Sequence, residues 1–281
     1  MKPIFIFLIC LGVLLFLGLS IYLYGYFFEV RKTKILRFQF EKKQLKKIKD
    51  PVANAYKIVF FSDLHVGKML KGKQLKRKIE LLKECKADLY LFGGDLIGYH
   101  TAKYFKKEDI AKEFQFLNNT VGFKVEGNHE YKKEKHITQS QKEDLFAAFP
   151  LPLLQNESVE IMAHDKKLIV TGLKEGQYHT PKQPTKLPGD IHLVVVHQGD
   201  YFDQIKDADI VLSGHTHGGQ IRIPFLPLIY KPKHGKKYIQ GMYQKDQQYL
   251  LVSKGMGCNM FKFRFCAPSD IIEIYLTKEG E

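Results

Sequence analysis

From Ile4 to Phe28 the chain runs for 25 residues without a charge, rich in Leu, Ile, Phe and Tyr. No other feature restricts its folding as much. At about 1.5 Å per residue, a helix of that length crosses a hydrocarbon core of about 30 Å. A buried core helix is a poor alternative for so long an apolar run at the terminus. A secretory signal fits poorly too, because its apolar region spans about 7–15 residues and ends in a small-x-small cleavage site. This run ends in Gly25-Tyr26-Phe27-Phe28, which reads as an interfacial aromatic belt. The expectation is an uncleaved transmembrane anchor over residues 1–28.

Charge orients that anchor. Only the α-amine and Lys2 precede the span, whereas residues 29–50 hold nine basic side chains against three acidic ones. Positive-inside bias then places the remaining chain in the cytoplasm, and no twin-arginine pair precedes the apolar run to suggest that export route. The net charge of +14 over 281 residues could advertise nucleic acid. However, a surplus of six lies in residues 29–50, directly beside the membrane, where cations attract anionic headgroups. Membrane lipid, met by the anchor and a basic linker over 29–56, is the expected partner, and nucleic acid is disfavoured.

Residues 57–281 are long enough for one α/β domain with a core of its own. Cys10, Cys85, Cys258 and Cys266 are scattered, with no metal-knuckle or disulfide spacing. Periodicity predicts strands at 57–61, 88–92 and 122–126, alternating with helices at 73–85, 107–117 and 141–149. From Leu153 onward strands dominate, at 158–162, 167–172, 192–196, 210–212, 220–223, 249–253 and 271–276.

Five short blocks follow predicted strand ends, where open α/β sheets place their sites. They are Asp63-Leu64-His65, Gly93-Gly94-Asp95, Gly127-Asn128-His129-Glu130, His197-Gln198 and Gly214-His215-Thr216-His217-Gly218. Carboxylate, amide oxygen and imidazole together suit divalent metals, and a pair of metals needs a carboxylate to bridge it. Taken singly, each block has a bland reading: Asp63 as a helix cap, Gly127-Asn128 as a turn, His-x-His as a surface pair. In order and at strand ends, they read as one metal site. His100, His136, His164, His179, His192 and His234 stand outside any such block and read as structural or surface residues.

The ordered blocks D-x-H, G-D, G-N-H-[DE], H and G-H-x-H resemble the calcineurin-like metallophosphoesterase superfamily. The tail from Gly218-Gly219-Gln220-Ile221 through Val252-Ser253-Lys254-Gly255 resembles its bacterial membrane-anchored branch. The resemblance implies a four-layer αββα sandwich, here behind an N-terminal transmembrane helix. It implies that Asp63, His65 and His217 hold one ion and Asn128, His197 and His215 a second, with Asp95 bridging the two. It also implies that His129 is not a ligand but stands beside the leaving group as general acid. The two divalent ions would be Mn²⁺, Fe²⁺ or Zn²⁺. Relatives often carry an acidic residue where this chain has Gly98, which touches only the surroundings of the ligands.

The implied activity is hydrolysis of a phosphate ester or anhydride in a small molecule or a lipid-linked substrate. Ile223-Pro224-Phe225-Leu226-Pro227-Leu228-Ile229-Tyr230, followed by Lys231, Lys233, Lys236 and Lys237, has two readings. It is either a buried loop stiffened by prolines, or an apolar lip that meets bilayer or acyl chains while its lysines face phosphate. The second reading resembles the anchored hydrolases that cleave the pyrophosphate of UDP-2,3-diacylglucosamine in lipid A synthesis. A general phosphodiesterase, a nuclease of the same superfamily and a non-enzymatic scaffold of the fold are the alternatives.

Overall fold

The computed structural model describes residues 3–277. Helix α1, Pro3–Leu23, buries no residue, and the apolar helical stretch is long enough to cross a membrane. A π-helical turn, Tyr24–Phe28, and a short 3₁₀ turn, Glu29–Arg31, join it to the domain. There Glu29 is buried and its carboxylate accepts the Ala267 N–H at 2.7 Å.

Two six-stranded sheets follow. The first is built from β1 (Thr33–Glu41), β2 (Gln44–Ile48), β3 (Tyr56–Phe61), β4 (Leu89–Phe92), β5 (Gly122–Lys124) and β12 (Ser269–Leu276), in the order β2-β1-β12-β3-β4-β5. The second holds β6 (Glu157–Ala163), β7 (Lys166–Gly172), β8 (Ile191–Val195), β9 (Ile210–Ser213), β10 (Gly241–Lys245) and β11 (Gln248–Val252), in the order β10-β11-β9-β8-β7-β6. Strands β3, β4, β8 and β9 are near-continuous apolar runs because both faces of each are covered. Ile58, Phe60, Leu91, Val170, Leu193, Leu212 and Ile274 fill the space between the sheets.

Helices α2 (Gly72–Cys85), α3 (Thr101–Tyr104, a single turn), α4 (Lys107–Glu113) and α5 (Gln139–Ala147) cover the outer face of the first sheet. In α2 the residues Leu75, Ile79, Leu82 and Cys85 form one buried stripe, and the helix stops where Lys86 turns left-handed. Thr138 Oγ1 caps α5 by accepting the Gln141 N–H. The outer face of the second sheet is covered by a 3₁₀ segment, Gly199–Gln204, and loops carrying Phe202, Ile205 and Tyr238. The four layers of the expected sandwich are present, the last of them thin.

Three expectations need correction. Residues 29–56 are not merely a linker, because β1 pairs with β12 over eight positions and β2 pairs with β1. Leu36, Phe38 and Phe40 alternate into the inter-sheet core, while Arg37, between them, donates to Glu273 at 2.8 Å. The strand expected at 220–223 is reduced to a single bridge from Ile221 to Phe265, since Gly218, Gly219 and Gln220 all adopt positive φ. The helix expected over 107–117 ends at Glu113 and tightens into a 3₁₀ turn, Gln115–Asn119.

Candidate metal centre

All five blocks converge at one edge of the two sheets. Asp63, His65, Asp95, His215 and His217 each take positive φ, between 47° and 71°. That conformation is costly for residues with a side chain. It is stabilised by pairing of the two strand-end loops: Asp63 N–H donates to Gly94 O, His65 N–H to Asp95 O and Val66 N–H to Leu96 O. The effect is to turn consecutive side chains out of the strand direction into the gap between the sheets. A Cβ at Gly214 would run into the Asp63 carboxylate, so the loop of the last block approaches that closely only as glycine. At Gly98 a Cβ would meet the His65 carbonyl, so this stretch too lies as close as it does only as glycine.

The side chains form two groups that touch. Asp63, His65 and His217 offer ligand atoms within 4.8 Å of one another, as do Asp95, His197 and His215. Asn128 Oδ1 is 3.2 Å from His197 Nε2, on the second group. Asp95 Oδ2 lies 3.5 Å from His65 Nε2 and 3.2 Å from His197 Nε2, so one carboxylate oxygen is shared between the groups. All seven residues are buried. The structure thus brings together every residue expected as a ligand.

Hydrogen bonding fixes how the rings present themselves. His65 Nδ1 donates to Ile97 O, His197 Nδ1 to Gly93 O and His215 Nε2 to Lys233 O. A carbonyl only accepts, so these nitrogens each carry a proton and the opposite nitrogens turn inward, where they can take a further proton or a cation. His65 Nε2 then faces His217 Nε2 at 3.0 Å, and His197 Nε2 faces His215 Nδ1 at 3.2 Å. Ring nitrogens that close, beside two buried carboxylates, call for a proton or a cation between them. The electrostatics agree. Burial opposes protonation of His197, but Asp95 outweighs it and raises the pKa to about 10, while burial and His197 push His215 down to about 4. Burial works against ionisation of Asp95, yet His197 and His129 hold its carboxyl well below the usual range. These residues fit a pair of divalent cations.

His129 shares the cavity. Its ring meets His65 edge-on at 4.5 Å, its N–H donates to Asp95 Oδ1 at 2.8 Å, and its buried Nδ1 has no partner. It also forms a close trio with His65 and Asp95. Glu130, next in the chain, accepts the N–H groups of Asp95, Ile97 and Gly127 and so ties two blocks together. Burial and the nearby Asp95 raise its pKa to about 8. Lys142 Nζ donates to His129 O at 2.8 Å from α5. The six remaining histidines named above lie outside these groups.

One neighbour carried no signal in the sequence. Arg264 is fully buried, and its guanidinium donates to the carbonyls of Lys254, Gly255, Gly257 and Ala267. Its Nη2 lies 3.3 Å from His217 Nδ1. It therefore pins the loop after β11 against His217. Its partners are almost all backbone, and no spacing rule would have revealed them.

A layered α/β fold with two Asp/His groups sharing one carboxylate defines a class of metal-dependent phosphoesterase. The chain belongs to the calcineurin-like phosphoesterase family, whose model matches residues 56–219. It is 30% identical to the uncharacterised metallophosphoesterase YkuE of Bacillus subtilis over 78% of each chain. It is 29% identical to the phosphodiesterase YaeI of Escherichia coli, over 82% of this chain and 86% of that one. It is also 25% identical to an uncharacterised metallophosphoesterase of Aquifex aeolicus, over 94% of this chain and 97% of that one. The chain is a metal-dependent phosphoesterase, and its superfamily and Asp/His groups point to a binuclear site for divalent ions.

Proposed function

We propose that the chain is a membrane-anchored phosphodiesterase or pyrophosphohydrolase acting on a phosphate linked to a lipid, with its catalytic domain on the cytoplasmic side. Asp63, His65 and His217 would hold one ion, Asn128, His197 and His215 the other, and Asp95 both. Mn²⁺, Fe²⁺ and Zn²⁺ suit this donor set. Two such ions, when bound, neutralise phosphoryl oxygens and lower the pKa of water near neutrality. Water then adds to phosphorus in line with the leaving oxygen, and the bond to that oxygen breaks. His129, whose buried Nδ1 has no other partner, would hand a proton to the departing oxygen; burial holds its pKa well below the ordinary histidine value, so a proton placed there is readily given up. Its position is set from both sides, by its N–H on Asp95 and by Lys142 on its carbonyl.

The observation that carries the substrate reading is an apolar cavity of about 240 Å³ directly beside His215 and His217, lined by Ile221, Ile229, Tyr230, Met260 and Phe261. A larger depression of about 680 Å³ surrounds Lys43, His192 and Asp209 at the opposite sheet edge, remote from the Asp/His groups. The smaller one matters because it continues from the site. An acyl or other apolar group could occupy it while the phosphate faces the metals. The name of the Escherichia coli relative favours a diester, and UDP-2,3-diacylglucosamine combines an apolar body with a pyrophosphate.

Turnover of the full chain with Mn²⁺ tests the reading, with UDP-2,3-diacylglucosamine, soluble aryl phosphodiesters, oligonucleotides and aryl monoesters compared. Preference for the lipid-linked substrate is the expected result. Equal or better turnover of oligonucleotides would favour a nuclease and remove the lipid assignment.

A further inference from the structure

The strands that lead into Asp63 and Asp95 finish at the same end of the sheet at which α1 enters the domain. β12 runs antiparallel to β3, with Ile272 opposite Phe60, and β1 runs parallel to β12, with Thr33 opposite Ser269. The first residue of β1 is therefore level with the residues that follow β3. Only residues 24–32 separate the apolar helix from that end of the sheet.

The segment Asn259–Phe265 also climbs the helix. Tyr22 stacks on Phe263 at 6.0 Å, Tyr24 meets Phe265 edge-on at 6.4 Å, and a Cβ on Gly25 would run into Phe263. Tyr22 precedes Phe28, the end of the uncharged run, by six residues. At about 1.5 Å per residue, Phe263 sits about 9 Å inside that run. Met260 and Phe261, on the same segment, are exposed. Across the apolar cavity from them, the turn through residues 223–230 leaves Phe225 fully exposed, together with Leu226, Ile229 and Tyr230. Lys262 lies 5.1 Å over the Tyr26 ring, and Lys32 Nζ donates to the Tyr24 hydroxyl. Cations and tyrosines together at the end of a span are the composition of a headgroup layer.

We propose that the Ile223–Tyr230 turn and the Asn259–Phe263 segment insert into the interfacial layer of the bilayer that α1 crosses, so that the Asp/His site opens onto lipid headgroups. The inference rests on reading α1 as a membrane span. A bilayer is the occupant because the exposed apolar patch is continuous with the apolar surface of α1 through Phe263 and is flanked by cations. A protein partner would not need the patch to continue onto a helix that lies in lipid. The site would then take a phosphate held at the plane of the membrane, without the substrate leaving it.

The chain contains no tryptophan, so F225W introduces a single tryptophan, excited selectively over the tyrosines, at a fully exposed position. M162W serves as the comparison. Met162 is exposed on β6 and pairs with Lys167 near the start of β7, at the sheet edge opposite the site. Full-length variants are placed in nanodiscs containing lipids brominated on their acyl chains. F225W should be quenched several-fold more strongly than M162W. Co-elution of the chain with the nanodisc reports anchoring separately. Co-elution with equal quenching would overturn insertion of the lip while leaving the anchor, and failure to co-elute would overturn both. The readout is fluorescence, so it does not depend on turnover.

Discussion

His129 and Lys78 show how much a buried side chain's surroundings decide at the residue scale. His129 has an unpartnered Nδ1 beside the shared carboxylate, and the role proposed for it is proton delivery and not ligation. H129A should keep both ions by metal analysis and lose turnover by about 10²–10⁴-fold. The loss should shrink for leaving groups of low pKa, and uniform loss across leaving groups would make His129 a positioning residue instead. Lys78 lies buried on α2, donating to Thr33 Oγ1 and Ser269 Oγ. Burial, and then Arg264, push its pKa down from 10.5 to about 7. Between those values the unfolded chain binds a proton that the folded chain does not, so stability rises with pH across that window. K78M should flatten the rise in urea-denaturation midpoint between pH 7 and pH 10, and an unchanged slope would rule Lys78 out as its source.

At the scale of elements, the strands adjoining the site were legible and the sheet edge was not. β3, β4, β8 and β9 are apolar through their length, and their ends carry side chains whose chemistry demands close spacing, so sequence blocks marked both strand and site. β1 and β2 were hidden because the face of β1 opposite Leu36, Phe38 and Phe40 carries Arg37, Gln39 and Glu41, and because lysines crowd the turn between the strands. β10, an edge strand with exposed polar positions, was missed for the same reason. Arg264 was invisible because backbone carbonyls leave no trace in sequence. The structure makes β1 integral: it supplies the parallel partner of β12 and buries Phe38 and Phe40. Deleting residues 1–28 should leave a cooperative thermal transition by circular dichroism, whereas deleting residues 1–48 should abolish it. Equal transitions for the two truncations would contradict an integral β1.

For the whole molecule, a surplus of six out of the net charge of +14 lies in residues 29–50, next to the end of α1. Arg37 pairs with Glu273, and Lys43 pairs with Asp209. Basic residues around the end of α1 still give the asymmetry that orients a single span. A C-terminal reporter active only in the cytoplasm should therefore function, and one active only outside it should be silent. The reverse pattern would remove cytosolic nucleotide-lipids as substrates. The central claim is that two divalent ions share Asp95 in one phosphoesterase site. Metal content and turnover of a soluble aryl phosphodiester, measured together on the parent chain and on D95N after stripping and Mn²⁺ titration, test it most directly. Two ions per parent chain, with turnover that appears as the second binds, are expected, and at most one ion with negligible turnover for D95N. Two ions and undiminished turnover in D95N would contradict it.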